Sequence, residues 1–310
     1  MKNKIHSFTI TIIFLLLISI ILTNNSNIIQ SIIDATELWS TRILPSLFPM
    51  FVISDILSYY GLATFLSKLL TPLTKKIFNV SGISSYIFIM SLLSGCPSNA
   101  YITKELLQNG RISNSDATKV LCFSFFSNPL FLLAILSNIF PNNNTLVIKI
   151  ILIHYLSNIL VGILLKNHKQ IEPTYEQIIV RQVQKSQDFG TILTNSIKKS
   201  MNTLITILGT VIFYIIISTA IIELFNFENL SSNILKGILE ITQGLNSLIN
   251  SNQNETIKSI LAISFISFGG LSIHTQIKSI LNDTEIKYSR FLKARILHAI
   301  IATIILIILK

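Results

Sequence analysis

Charge is what this sequence has least of. Asp, Glu, Lys and Arg make up only 12% of its 310 residues, while 50% are hydrophobic and the mean hydropathy is +0.64. A soluble domain carries about 25% charged residues. A deficit of this size, spread over long apolar runs, sets soluble classes aside and leaves a polytopic membrane protein. Cysteine is nearly absent too. Cys96 and Cys122 lie in or beside apolar segments without a CxxC partner, so no disulfide framework and no metal site is expected. The chain also lacks GxxxxGK[ST], HExxH and GxSxG and has no cluster of metal ligands. An enzyme is therefore not expected, nor is a cofactor. The net charge of +10 comes without a basic stripe interleaved with aromatics, so nucleic acid is not an expected partner. The basic residues sit instead between apolar runs, as cytoplasmic loops do.

A bilayer core needs about 20 mostly apolar residues per helix. Full spans are expected at Ile5 to Leu22, Leu38 to Tyr60, Val120 to Phe140, Leu146 to Leu165, Met201 to Leu224, Ser259 to Leu281 and Phe291 to Leu309. That gives about seven crossings. The first run follows Lys2 and Lys4 but has no A-x-A-like cleavage site after it, and so reads as an uncleaved helix. Connections without Lys or Arg (Thr23 to Thr36, "PNNNT" and "NFENLSSN") read as outside. Those rich in them (Lys68 to Lys76, Lys104 to Lys119, Lys166 to Lys199 and Lys278 to Arg295) read as inside. This alternation puts the N-terminus in the cytoplasm. Arg42 is expected to snorkel to the outer interface.

Two segments resist a full crossing. Gly82 to Gln108 starts and ends beside inside-type loops, and Asn229 to Asn250 lies between outside-type ones. Both read as re-entrant hairpins, entering from opposite faces. "LATFLSKLLTPLTKKIF" suits a helix lying on the inner leaflet. The order span, hairpin, span, span then occurs twice, from outside and from inside, as in an inverted repeat. The expected fold is all-α: a single membrane domain over 1–310, with a first helix and outside loop (1–37), repeat one (38–165), a cytoplasmic loop (166–200) and repeat two (201–310).

Polar residues at membrane depth gather on four of these elements. The first hairpin tip is "SGCPSN", and the next span contains "CFSFFSNPLFLL", where the spacing puts Ser124 and Asn128 on one helix face. The second hairpin carries Glu240 and Gln243 in "LEITQGL". The span after it carries "ISFISFGGLSIHTQIKSI", with Ser267, Gly270 and His274 on one face. Each feature alone has a plainer reading, as a packing kink or interhelical glue. His154 and His298 read as structural, and Cys96 and Cys122 as small packing residues. Together the four breaks imply a shared polar cavity, because lipid cannot satisfy unwound backbone.

At these residues the chain resembles the YlbJ-type sporulation integral membrane proteins, which carry the nucleoside-recognition Gate domain and are related to concentrative nucleoside transporters. "SGCPSNAYITKELLQNGRIS", "FSFFSNPLFLL", "LEITQGL", "ISFGGLSIHTQIKSIL" and "ARILHAI" carry the resemblance. Cys96 stands where the family motif has an aromatic, and Asn99 where it has a small residue. The resemblance implies a transporter for a small polar or anionic solute, dipicolinic acid during sporulation or a nucleoside-like compound. Its implied substrate site is Gly95, Pro97, Ser98, Asn99, Ser127, Asn128, Glu240, Thr242, Gln243, Ser267, Ser272 and His274. The implied setting is a bacterial cell membrane, or the outer forespore membrane of a spore former. A homo-oligomer and a coupling proton or sodium ion are compatible with that class. The rival reading is a non-transporting assembly factor needed for spore formation. A dianionic solute would be repelled by a charged Glu240. Glu240 is thus expected to be protonated when solute binds, with Glu240 and His274 as candidates for proton coupling, and with a coupling cation or a neighbour such as Lys199 or Arg295 as the alternatives. Single cysteines at Asn143 and Gln184 should label from opposite sides of the membrane; labelling of both from one side would overturn this topology.

Overall fold

In the computed structural model, residues 25–166 and 188–309 are described, together with isolated positions between 8 and 22. Most of the expected first span, and residues 167–187 of the expected cytoplasmic loop, lie outside the described residues. Every regular element among the described residues is helical. Among the described residues, five helices are long and apolar enough to cross a membrane, or six if the bent pair Lys68–Phe78 and Ile83–Ser94 is one span.

α1 (Asn25–Leu38), a π-helical stretch (Trp39–Ile43) and α2 (Leu44–Tyr59) form one continuous path, so the segment expected as an outside loop is helical from residue 25. The π stretch ends just before Pro45, which has no N–H to donate and whose ring crowds the carbonyl one turn back, a usual cause of such a bulge. This path lies antiparallel to α9 (Phe189–Phe225). Side-chain contacts run down the seam: Asn27 to Glu223 at 2.8 Å, Ser31 to Thr219 at 3.1 Å and Trp39 Nε1 to the Leu204 carbonyl at 3.2 Å. Asp55 closes the other end with Ser196 at 2.8 Å and Lys199 at 2.6 Å. α9 starts at Phe189, inside the stretch expected to be loop up to residue 200. The charge on Lys199 is taken by Asp55 and not by Glu240.

α3 (Leu62–Phe78) is the amphipathic helix expected at the inner leaflet, and it meets α4 (Ile83–Ser94) at 94°. α4 and α5 (Ser98–Gln108) form the first hairpin. The span expected at Val120 to Phe140 is broken into α6 (Asn114–Phe123) and α7 (Pro129–Ile139), with residues 124–128 non-helical. α8 (Asn144–Leu164) completes the first half. The second half repeats the series: a hairpin of α10 (Asn229–Leu239) and α11 (Ile241–Ile249), a broken helix of α12 (Glu255–Phe268) and α13 (Gly270–Ile280), and then α14 (Tyr288–Ile308).

Leu152, Leu156 and Leu160 on α8, and Ile296, Ile300 and Ile304 on α14, recur every four residues and are exposed. They form the lipid-facing stripes of helices whose opposite sides are buried. Beneath them, Phe78 stacks on Phe123 with centroids 4.4 Å apart, which fixes α3 to the end of α6. Gly162 on α8 makes room for this pair, since a Cβ there would lie 2.7 Å from Phe78 and 2.9 Å from Phe123. Gly162→Val should therefore destabilise the protein by about 1–3 kcal/mol, read as a lowered melting temperature in detergent.

Candidate functional site

Each hairpin tip is set against the break in the next element of its own half. In the first half, Gly95 has φ +80°, and a Cβ on it would come within 2.8 Å of the Asn128 backbone nitrogen. Only glycine allows both that backbone angle and that approach. The contact is sealed by backbone and side chain: Cys96 N–H donates to the Phe126 carbonyl at 2.9 Å, Asn99 Nδ2 to the Ser124 carbonyl at 3.1 Å, and Asn128 Nδ2 to the Leu93 carbonyl at 3.1 Å. Asn128 also caps α7, its Oδ1 accepting from Leu130 and Phe131 N–H. Ser124 and Asn128 thus do not share a helix face. They bracket an unwound segment, because Pro129 starts α7 and disfavours helical backbone at the residue before it. Pro97 is buried just ahead of α5, and Ser98 is the first residue of that helix.

The second half uses the same plan with different chemistry. The tip is Glu240, which is 1% exposed. It caps α11: Oε2 accepts from the Gln243 N–H at 2.6 Å and from the Thr242 hydroxyl. Gly270, at φ +69°, lies so close to the tip that a Cβ would sit 2.9 Å from the Ile241 nitrogen. Ser272 is buried and faces Glu240. The Gln243 side chain turns away, accepting from Ser218 on α9 at 2.6 Å. Because the helix breaks at Gly269, Ser267 and His274 belong to different helices. The His274 ring bonds to Tyr288 at 2.8 Å and to the Phe268 carbonyl at 3.0 Å.

A buried polar group joins the two halves. His154 on α8 accepts the Ser127 N–H at 3.3 Å and meets Ser267 Oγ at 3.2 Å, so one ring touches both broken helices. Arg295, fully buried on α14, donates to the Cys122 carbonyl and, at 2.9 Å, to Asn158 Oδ1 and His298 Nδ1. Asn158 in turn donates to the Phe125 carbonyl at 2.9 Å. The guanidinium lies 4.6 Å from the Phe125 ring centre. On the Gly269 side of that ring, a Cβ at Gly269 would be 2.4 Å from Phe125 Cζ. Arg295 makes no ion pair with Glu240.

The sequence marks the tips and the breaks but not this group as a unit. His154 and His298, expected to be structural, are buried in it beside Asn158. The available signal was spacing: His154 with Asn158 four apart, and Arg295 with His298 three apart, each pair on one face of an apolar helix. Several polar atoms at the breaks have no partner, namely Asn99 Oδ1, Ser124 Oγ and Arg295 Nε.

Two re-entrant tips set against two broken helices define an all-helical membrane protein with the fold of the concentrative nucleoside transporters. Solved structures bear this out. The chain superposes on an outward-facing CNTnw variant with a TM-score of 0.54 at 12% identity, over 86% of this chain and 75% of that one. A second CNTnw variant, in the intermediate 1 state, gives 0.51 at 11% identity, over 97% and 86%. Residues 40–141 match the Gate family, described as nucleoside recognition. The resemblance to YlbJ-type proteins extends over nearly the whole chain: it is 26% identical to the sporulation integral membrane protein YlbJ of Bacillus subtilis (strain 168), over 99% of this chain and 83% of that protein.

The caps at the first break can be tested directly. Asn128→Ala removes both the α7 cap and the bond to Leu93, and should cost about 2 kcal/mol. Asn128→Ser keeps a cap and should cost about half that. Equal melting temperatures for the two variants would contradict the capping role.

Proposed function

We propose that this protein is a transporter of the Gate-domain class that carries a small polar or anionic solute, either dipicolinic acid or a nucleoside-like compound, through the junction of the two broken helices. The observation that carries the proposal is the pairing itself: Gly95 against Asn128, and Glu240 against Gly270, with His154 linking the breaks behind them. Unwound backbone at membrane depth is tolerated only against protein or a water-filled path. Here it offers helix N-termini at Asn128 and Glu240, with Asn99 Oδ1 and Ser124 Oγ left without protein partners. The helix N-termini favour negative charge on a solute, the Ser124 hydroxyl can donate to it, and Asn99 Oδ1 can accept from a solute N–H or O–H. No enzymatic step is assigned to the site.

Glu240 is the residue that must be reconciled with an anionic solute. Its Oε2 is committed to Thr242 and Gln243, so a proton on Oε1 gives a neutral tip that still caps α11. The protonated carboxyl can then donate to the solute. The setting proposed with this function is a bacterial cell membrane, and the outer forespore membrane where the organism sporulates; the likeness to a sporulation integral membrane protein supports it.

The test is uptake of labelled dipicolinate and of nucleosides into liposomes holding the purified protein, at several pH values. Saturable uptake is expected, falling at least about tenfold in Asn128→Ala and Glu240→Ala. Glu240→Gln should flatten its pH dependence. Absence of saturable uptake of both solutes by folded protein would overturn this proposal in favour of a non-transporting assembly factor. Full uptake by Glu240→Gln with an unchanged pH profile would contradict the neutral-tip account alone.

A further inference from the structure

Three histidines are buried around the breaks, and their hydrogen bonds sort them. An amide or guanidinium N–H can only donate and a carbonyl can only accept, so fixed partners of these kinds dictate each ring's tautomer. His154 Nε2 faces the Ser127 N–H and must accept, which leaves the proton on Nδ1 facing Ser267. His298 Nε2 faces the His154 carbonyl and must donate, so its Nδ1 accepts from Arg295 at 2.9 Å. A second proton on either ring would set donor against donor, in the case of His298 beside a guanidinium. Both are locked neutral.

His274 is different. Its Nε2 donates to the Phe268 carbonyl, but its Nδ1 faces the Tyr288 hydroxyl at 2.8 Å, a group that can donate or accept. On gaining a proton, Nδ1 becomes a donor, and the phenol turns from donor to acceptor. Both hydrogen bonds survive. Tyr288, at the start of α14, is not fully buried, and its hydroxyl is free to rotate between the two roles. The Phe268 carbonyl lies at the C-terminal end of α12, where positive charge is favoured.

We propose that His274 and Tyr288 form a proton-binding site that sets the break at Gly269. A protonated ring holds the end of α12 to α13 through a charged Nε2–H, and a neutral ring holds it less tightly. Around the ring stand Tyr288 and Arg295 of α14, with Lys278 on His274's own helix placed 5.9 Å from the Tyr288 ring centre. On the other elements packed against α13, the titratable groups are Tyr214 on α9, Lys236 on α10, Glu240 at the second tip, which faces Ser272, and Tyr101, Lys104 and Glu105 on α5, where Lys104 is paired with Asp283. Among the described residues no carboxylate is ion-paired with His274, so the hydroxyl is what admits the proton.

The inference deepens the transport reading, and its test reads protonation directly. In full-length protein in lipid nanodiscs with nitrogen-15-labelled histidine, imidazole spectra are recorded between about pH 4 and pH 8, with signals assigned by single His→Gln variants. The His274 ring should convert to imidazolium before His154 and His298, and Tyr288→Phe should weaken its proton affinity about tenfold. Conversion of His154 or His298 first, a His274 ring neutral throughout, or an unchanged affinity in Tyr288→Phe would overturn the proposal. Proton binding in a protein that takes up no solute would instead defeat the transport reading and leave this one standing.

Discussion

Backbone that is unwound inside a membrane must find its hydrogen bonds in protein. Each unsatisfied group there costs several kcal/mol, far more than the ~0.6 kcal/mol that an interhelical polar contact contributes on average. The architecture follows from meeting that demand twice. At the first break, the Cys122 carbonyl is answered by Arg295, Ser124 by Asn99, Phe125 by Asn158, Phe126 by the Cys96 N–H, and the Ser127 N–H by His154. These donors and acceptors come from the hairpin tip, α8 and α14, so those elements are bound into one body with the break.

Arg295 is central to that body and carries no carboxylate partner. Its positive charge sits near the C-terminal end of α6, where it opposes the negative end of the half-helix, and between the rings of Phe125 and Phe291, whose faces favour a cation. A lysine could not reach two carbonyl-type acceptors and a histidine at once in this planar arrangement. Among the described residues no arginine bonds to the second break. The second tip is acidic and capped by its own helix, and the second break is closed by paired glycines. The two halves share an order of elements but differ in chemistry.

The order of elements was legible in the sequence because hydropathy and basic residues mark spans and loops. The hairpin tips were legible because Gly95, Pro97 and Glu240 are costly at membrane depth. What periodicity could not give was the state of the backbone. Ser124 and Asn128 are four apart, which reads as one helix face, yet Pro129 and the carbonyl acceptors at Cys122 and Phe125 make an unwound strand the better-satisfied choice. Helix length was misjudged where polar residues interrupt a helix without ending it, as in "NSNIIQSIIDATE" and "DFGTILTNSIKKS", because one face of each packs against a partner that sequence alone does not reveal. The central polar group was invisible for the same reason: Asn158, His154, Arg295 and His298 acquire their roles only when α8 meets α14.

The claim on which all of this rests is that solute binds where the two breaks face each other. It is tested most directly by an experimental structure of the protein in lipid at saturating dipicolinate or nucleoside. The account predicts solute density against Asn99, Ser124 and the Glu240 tip, with residues 124–128 non-helical. A continuous helix through that segment, or density bound only elsewhere, would contradict it.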